Sequence, residues 1–186
     1  MVAIRNFLTA AMALAAPISA ALTPTQISDN IRSLTEKSQA LQAPAQSLTI
    51  LDGPLLLTGQ GNFPPIIKGF TEIVNVGTAA INQMKGTAPI PAGADSDSIF
   101  NAFRDFVRVH QVLLNILIGK AGIFQTVPFV GAPVTAVLRA VEGVVDTIAF
   151  MLIDTVESRA SDLQGQANSL GMTLDTCINS YSGLST

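Results

Sequence analysis

From Phe103 to Ile153 the chain is nearly as apolar as a membrane span, yet charges recur in it at helical spacing. In Val134–Ile153 the charged residues are Arg139, Glu142 and Asp146, three and four apart, which makes one narrow stripe on a helix. A span in lipid would expose that stripe at high cost. A helix packed on most sides, with one edge in water, would not. The same periodicity runs through most of the chain.

Pro24 opens a first helix in which Ile27, Ile31, Leu34 and Leu41 fall three, four or seven apart, with Ser, Thr and Gln elsewhere. Thr23 and Pro24 suit the cap and first-turn positions. Pro44 ends or kinks this helix, with the pattern resuming towards Leu51. Asp52-Gly53-Pro54 is a turn signal, and Leu55 to Pro65 is loop-like. A second helix runs from about Pro65 to Met84, with Ile66, Phe70, Ile73, Val74, Ile81 and Met84 on one face and Gly77 as a weak point.

The loop 86–94 precedes a third helix, about 96–121, capped by Asp95 or Asp97. Its broad apolar face carries Phe103, Phe106, Val107, His110, Leu113, Leu114, Leu117 and Ile118; Val109, Val112 and Ile116 form a second. Two apolar faces place this helix near the middle of a bundle. A fourth helix, about 134–156, has small side chains opposite its main apolar face at Ala136, Ala140, Gly143 and Thr147. A fifth, about 158–181, is the more polar outer member. The pattern predicts an all-α, single-domain bundle of about five amphipathic helices, with helices three and four central.

The N-terminus adds a leader. Arg5 supplies the positive charge, Phe7 to Ala16 is an apolar run too short to span, and small residues follow at Ser19, Ala20 and Ala21. Cleavage is expected after Ala20, with Ala21 as the near alternative. That divides the chain into a secretory signal at 1–20 and a helical apolar-binding domain at 21–186. Ten Lys/Arg stand against thirteen Asp/Glu; loss of Arg5 leaves nine against thirteen, a net charge of −4. That balance disfavours nucleic acid and anionic headgroups as partners. Cys177 is the single cysteine, so no internal disulfide forms and the core alone must hold the fold. The chain closes without a hydrophobic tail, and the expectation is release, extracellular or loosely associated with the wall, without a transmembrane segment.

Catalytic parts are scarce. His110 is the single histidine, set among phenylalanines, and reads either as a core histidine with one hydrogen bond or as a ligand-contacting group. One His and one Cys cannot build the usual zinc site, and no nucleophile elbow or phosphate loop occurs. No metal, cofactor or enzyme activity is expected. Glu142, Asp146 and Arg139 read as a surface ion-pair strip.

Two features point to apolar ligands. The small-residue stripe Ala136, Ala140, Gly143 and Thr147 either lets a neighbouring helix approach or leaves room for a ligand, with Phe103, Phe106 and His110 as further lining. The Gly122–Pro133 connection holds Ile123, Phe124, Val127, Phe129 and Val130 and no charge. It is either an exposed apolar tip or a loop folded back on the core.

The segments 99–124, 127–154 and 161–182 resemble the hydrophobic surface-binding protein A family of filamentous fungi, which is related to the cell-wall galactomannoproteins. The resemblance implies secretion, a helical bundle, and binding to hydrophobic solid surfaces or to fatty acid within the bundle. Another secreted protein is a further candidate partner. The alternative is a structural or antigenic wall protein with no specific small ligand.

Overall fold

The computed structural model of the chain describes residues 22–127 and 129–184; the expected leader at 1–20 lies outside them. The elements are α1 (Pro24–Ala40), α2 (Gln42–Gln46), α3 (Asp52–Leu56), α4 (Phe63–Met84), α5 (Ala94–Ala121), α6 (Gly131–Thr155) and α7 (Ala160–Ser182). Single 3-10 turns follow α5 at Gly122–Phe124 and precede α7 at Glu157–Arg159. No strand occurs among the described residues.

Local chemistry sets the helix ends. Thr23 caps α1 reciprocally with Gln26: Gln26 N–H donates to Thr23 Oγ1 at 3.3 Å, and Thr23 N–H donates to Gln26 Oε1 at 2.9 Å. α1 stops at Ala40 because Pro44 supplies no N–H and its ring crowds the carbonyl four residues back. The pattern then resumes only to Gln46. The expected 55–65 loop is shorter than the sequence suggests. α3 occupies 52–56, and α4 starts at Phe63 ahead of its two prolines, which its first turn tolerates. Neither Asp95 nor Asp97 caps α5. Gly93 takes that place, and Ser96 Oγ donates to its carbonyl at 2.8 Å and accepts from its N–H at 3.0 Å.

The five long helices form a closed ring in the order α1, α5, α7, α6, α4 and back to α1. α5 lies between α1 and α7, and α6 lies between α7 and α4. This corrects the expectation that α5 and α6 are central, since among the described residues no helix runs up the middle. The second apolar face of α5 is only partly covered: Val112 is 46% exposed, and Gln42 Nε2 reaches over it to the Val109 carbonyl at 3.2 Å. α5 with its 3-10 extension is long and apolar enough to cross a membrane, and its packing between α1 and α7 accounts for that composition.

Side chains fill the space inside the ring. Phe63, Phe70, Phe103, Phe106, Phe124, Leu138, Leu152, Leu174 and Tyr181 are all buried. Phe63 meets Phe124 edge-on at 4.8 Å, and Phe70 faces the His110 ring at 6.0 Å, so α4 touches both α5 and the 3-10 turn after it through aromatic rings. α4 is notched on two sides. Leu41 seats against Gly69, and Val144 of α6 seats against Gly77, in spaces that a β-carbon would fill. Gly77 costs helix propensity and in return lets α6 approach.

Candidate functional site

His110 lies where α1, α4 and α5 meet and is wholly buried. Its ring lies 5.3 Å from Phe106, which in turn lies 6.3 Å from Phe103. Ser38 Oγ donates to the Leu34 carbonyl at 2.8 Å and lies 2.8 Å from His110 Nδ1. A hydroxyl has one proton. With that proton on Leu34, the network assigns the Nδ1–H to the ring, donating to Ser38, and leaves Nε2 as a bare acceptor. Nε2 is buried and has no hydrogen-bond partner. Burial pushes the imidazole down to about 4, so the ring is neutral over the ordinary pH range.

Phe103, Phe106 and His110, named together from the sequence, lie side by side in the core, and the interior adds Phe70 and Ser38. Ser38 was missed among the polar residues of α1. Its spacing was a signal: Ile27, Ile31, Leu34, Ser38 and Leu41 are one stripe, and all five are buried.

Phe124 belongs to the same core, wholly buried against Phe63. Phe129, five residues on, is 64% exposed and has φ of 77°, an unusual conformation for an aromatic residue. The connection is therefore divided. Phe124 and Val130 close the core, Val127 covers Gly53 of α3, and Phe129 and Ile123 face outward. The contact with α3 brings a second apolar segment to this end of the ring, where Ile50, Leu51, Leu55 and Leu57 are also exposed. Sequence reasoning treated that segment as a plain loop.

Charge is nearly absent at this end. Asp52 is buried and accepts from Thr49 N–H (2.7 Å), Thr49 Oγ1 (2.9 Å), Asn62 N–H (2.7 Å) and Asn62 Nδ2 (3.0 Å). Burial alone would raise its pKa; the bonds from Asn62 and Thr49 outweigh it and hold the carboxyl below its usual value. Lys120 donates to the Leu48 carbonyl at 2.9 Å.

Ala136, Ala140, Gly143 and Thr147 do not border the interior. All four lie on the solvent face of α6, and a β-carbon on Gly143 would meet open space. The wheel identified the stripe but not which way it faces, because α6 turns its Leu138, Val141, Val145 and Leu152 inward. Nor do Arg139, Glu142 and Asp146 form an ion-pair strip, for Arg139 closes on neither carboxylate among the described ion pairs. α7 instead brings Asp175 alongside. Burial and that third carboxylate raise both Glu142 and Asp146. A groove of about 500 Å³ between α6 and α7, lined by Asp146, Phe150, Ile153, Met172 and Asp175, opens to solvent there.

Cys177 is buried, its thiol pushed up to about 12 by desolvation, which makes it unreactive. Tyr181 donates to the Leu117 carbonyl at 2.9 Å, and burial raises its pKa too. Among the described residues no cluster of His, Cys, Asp or Glu could hold a metal.

No family model matches the chain, and no curated protein matches it. Solved structures share the fold. The crystal structure of Afmp4p in complex with palmitic acid superposes with a TM-score of 0.75 at 17% identity, over 86% of this chain and 100% of that one. Ligand binding domain 1 of the Penicillium marneffei MP1 protein, complexed with arachidonic acids, gives 0.73 at 12% identity, over 86% and 99%. Domain 2 of the same protein, complexed with multiple arachidonic acids, gives 0.73 at 10% identity, over 88% and 99%. The fold class expected from the sequence is the one these structures share.

Proposed function

We propose that this is a secreted, non-enzymatic binder of single-chain lipids that takes an acyl chain into the centre of the helix ring. The observation that carries this reading is the ring itself. Its middle is occupied almost wholly by apolar side chains, with His110 and Ser38 the polar exception beside Phe70 and Phe106, so a guest chain exchanges one set of apolar contacts for another and disturbs no backbone hydrogen bond. The neighbours of this fold named above were solved with palmitic and arachidonic acids, which supports the same use here. The leader-like N-terminus supports secretion, and the scarcity of catalytic groups supports a binding role.

Mass spectrometry of organic extracts from the purified protein tests the reading, together with displacement of a fluorescent fatty acid. Co-purified lipid and saturable displacement are expected. A delipidated, folded protein that displaces no probe removes it.

A second reading, adsorption to a hydrophobic solid, is favoured by one observation. Leu51, Leu57 and Phe129 are each more than 60% exposed at the same nearly uncharged end of the ring. Depletion of the protein from solution by hydrophobic beads tests it. The two readings are compatible, since one concerns the interior and the other an end.

A further inference from the structure

Among the described residues three buried side-chain atoms lack a hydrogen-bond partner, on Thr87, Thr135 and His110, and of these residues only His110 is wholly buried in the core. His110 Nε2 is wholly buried, lies among Phe70 and Phe106, and has no hydrogen-bond partner. Native interiors leave few such atoms, and each one costs stability. The opposite nitrogen is fixed. Nδ1 is bonded to Ser38, and Ser38 is in turn bonded to the Leu34 carbonyl, so the ring cannot turn Nε2 towards water or exchange its tautomer without breaking that chain. The result is an oriented acceptor set among apolar side chains.

We propose that His110 Nε2 receives the terminal O–H of the bound chain, so that the preferred ligand is a single-chain lipid whose head can donate a hydrogen bond: a long-chain alcohol or an undissociated fatty acid. This rests on the reading of the ring as a lipid site. A bare acceptor repels a carboxylate, which offers only lone pairs, and gains nothing from an ester, which has no donor. A carboxylate entering this space must therefore take up a proton, shared between its oxygen and Nε2. An apolar site selects by hydrogen bonding far more sharply than by chain length, because the wrong head leaves a buried polar group unpaired. The polar chain Leu34–Ser38–His110 is then a specificity device, set in a core that needs no polar group for its packing.

The test is competition binding with 1-hexadecanol, palmitic acid and methyl palmitate on the delipidated full chain, repeated with His110→Leu. In the natural protein hexadecanol should bind roughly tenfold tighter than methyl palmitate, the worth of one buried hydrogen bond. In His110→Leu that ratio should fall to about one. Palmitate should take up a proton on binding, seen as a buffer-dependent heat in calorimetry, and hexadecanol should not. Should the leucine variant fail to fold, imidazole nitrogen NMR on the natural protein replaces it: an unprotonated Nε2 that shifts with hexadecanol and not with methyl palmitate is expected.

Equal affinity for alcohol and ester, persistence of the preference in His110→Leu, or a protonated Nε2 in the free protein overturns the proposal and leaves the lipid reading standing. If none of the three ligands binds, the lipid reading itself falls.

Discussion

Phe124 and Phe129 are five residues apart and should respond to truncation in opposite ways. Phe124 is wholly buried and stacks edge-on against Phe63 at 4.8 Å, so Phe124→Ala leaves a cavity in the core. Truncations of this kind cost about 3–5 kcal/mol. At roughly 2–4 °C per kcal/mol for a domain of this size, the melting temperature should fall by about 6–20 °C. Phe129 is 64% exposed at φ 77°. Phe129→Gly relieves about 1–2 kcal/mol of left-handed strain and forfeits about 0.5–1 kcal/mol through the looser unfolded chain. The two nearly cancel, and the melting temperature should move by no more than a few degrees. Adsorption should respond the other way. Covering the exposed part of that ring is worth roughly 1–2 kcal/mol, so Phe129→Gly should weaken binding to hydrophobic beads about 5- to 30-fold. Thermal melts and bead isotherms on the two variants decide it. A large stability loss in Phe129→Gly, or unchanged adsorption, refutes the apolar-end argument.

Gly77→Ala should destabilise by about 1–3 kcal/mol, because its new methyl meets Val144 of α6, while Gly143→Leu should be neutral or stabilising by up to about 1 kcal/mol and leave interior lipid binding unchanged; denaturant titration and probe displacement check both. Asp52→Ala strands the backbone N–H groups of Thr49 and Asn62 and should cost about 1–3 kcal/mol, with faster amide exchange in 47–63 as the readout. His110 is held at about 4, below its usual 6.5, so the unfolded chain binds its proton more readily. Its contribution is complete above pH 6.5 and is lost as the pH falls to about 4, roughly 3 kcal/mol in all. Glu142 and Asp146, raised in the folded state, act in the opposite sense, so the histidine's share is read as the difference between the natural protein and His110→Leu across pH 4–7.

The long helices were legible because their stripes are long: four of the predicted spans agree with α4, α5, α6 and α7 to within a few residues. Which stripe faces which neighbour was not. A wheel gives the faces of one helix but not the angle at which it joins others, so the stripe Ala136, Ala140, Gly143 and Thr147 was read as a seat for a neighbouring helix or a ligand when it faces water, and the second face of α5 suggested a central helix. The acidic cluster needed Asp175 from another helix. The core histidine was visible as a polar residue among phenylalanines, whereas its partner Ser38 was hidden because serine is unremarked on any polar helix face. α3 was lost among turn residues, and with it half of the apolar end.

The two notches in α4 make the ring mechanically unequal. Leu41 and Val144 each enter a slot from opposite sides, so α4 is keyed to both of its neighbours, as a barrel stave doweled on two edges. To widen either of those seams, a side chain would have to be drawn out of a slot that nothing else fits. The seam between α5 and α7 is tied differently, by Gln111 donating to Ser169 and Thr173 and by the buried Tyr181 hydroxyl donating to the Leu117 carbonyl. Along α4 the ring is held by fit, and between α5 and α7 it is held by packing and hydrogen bonds.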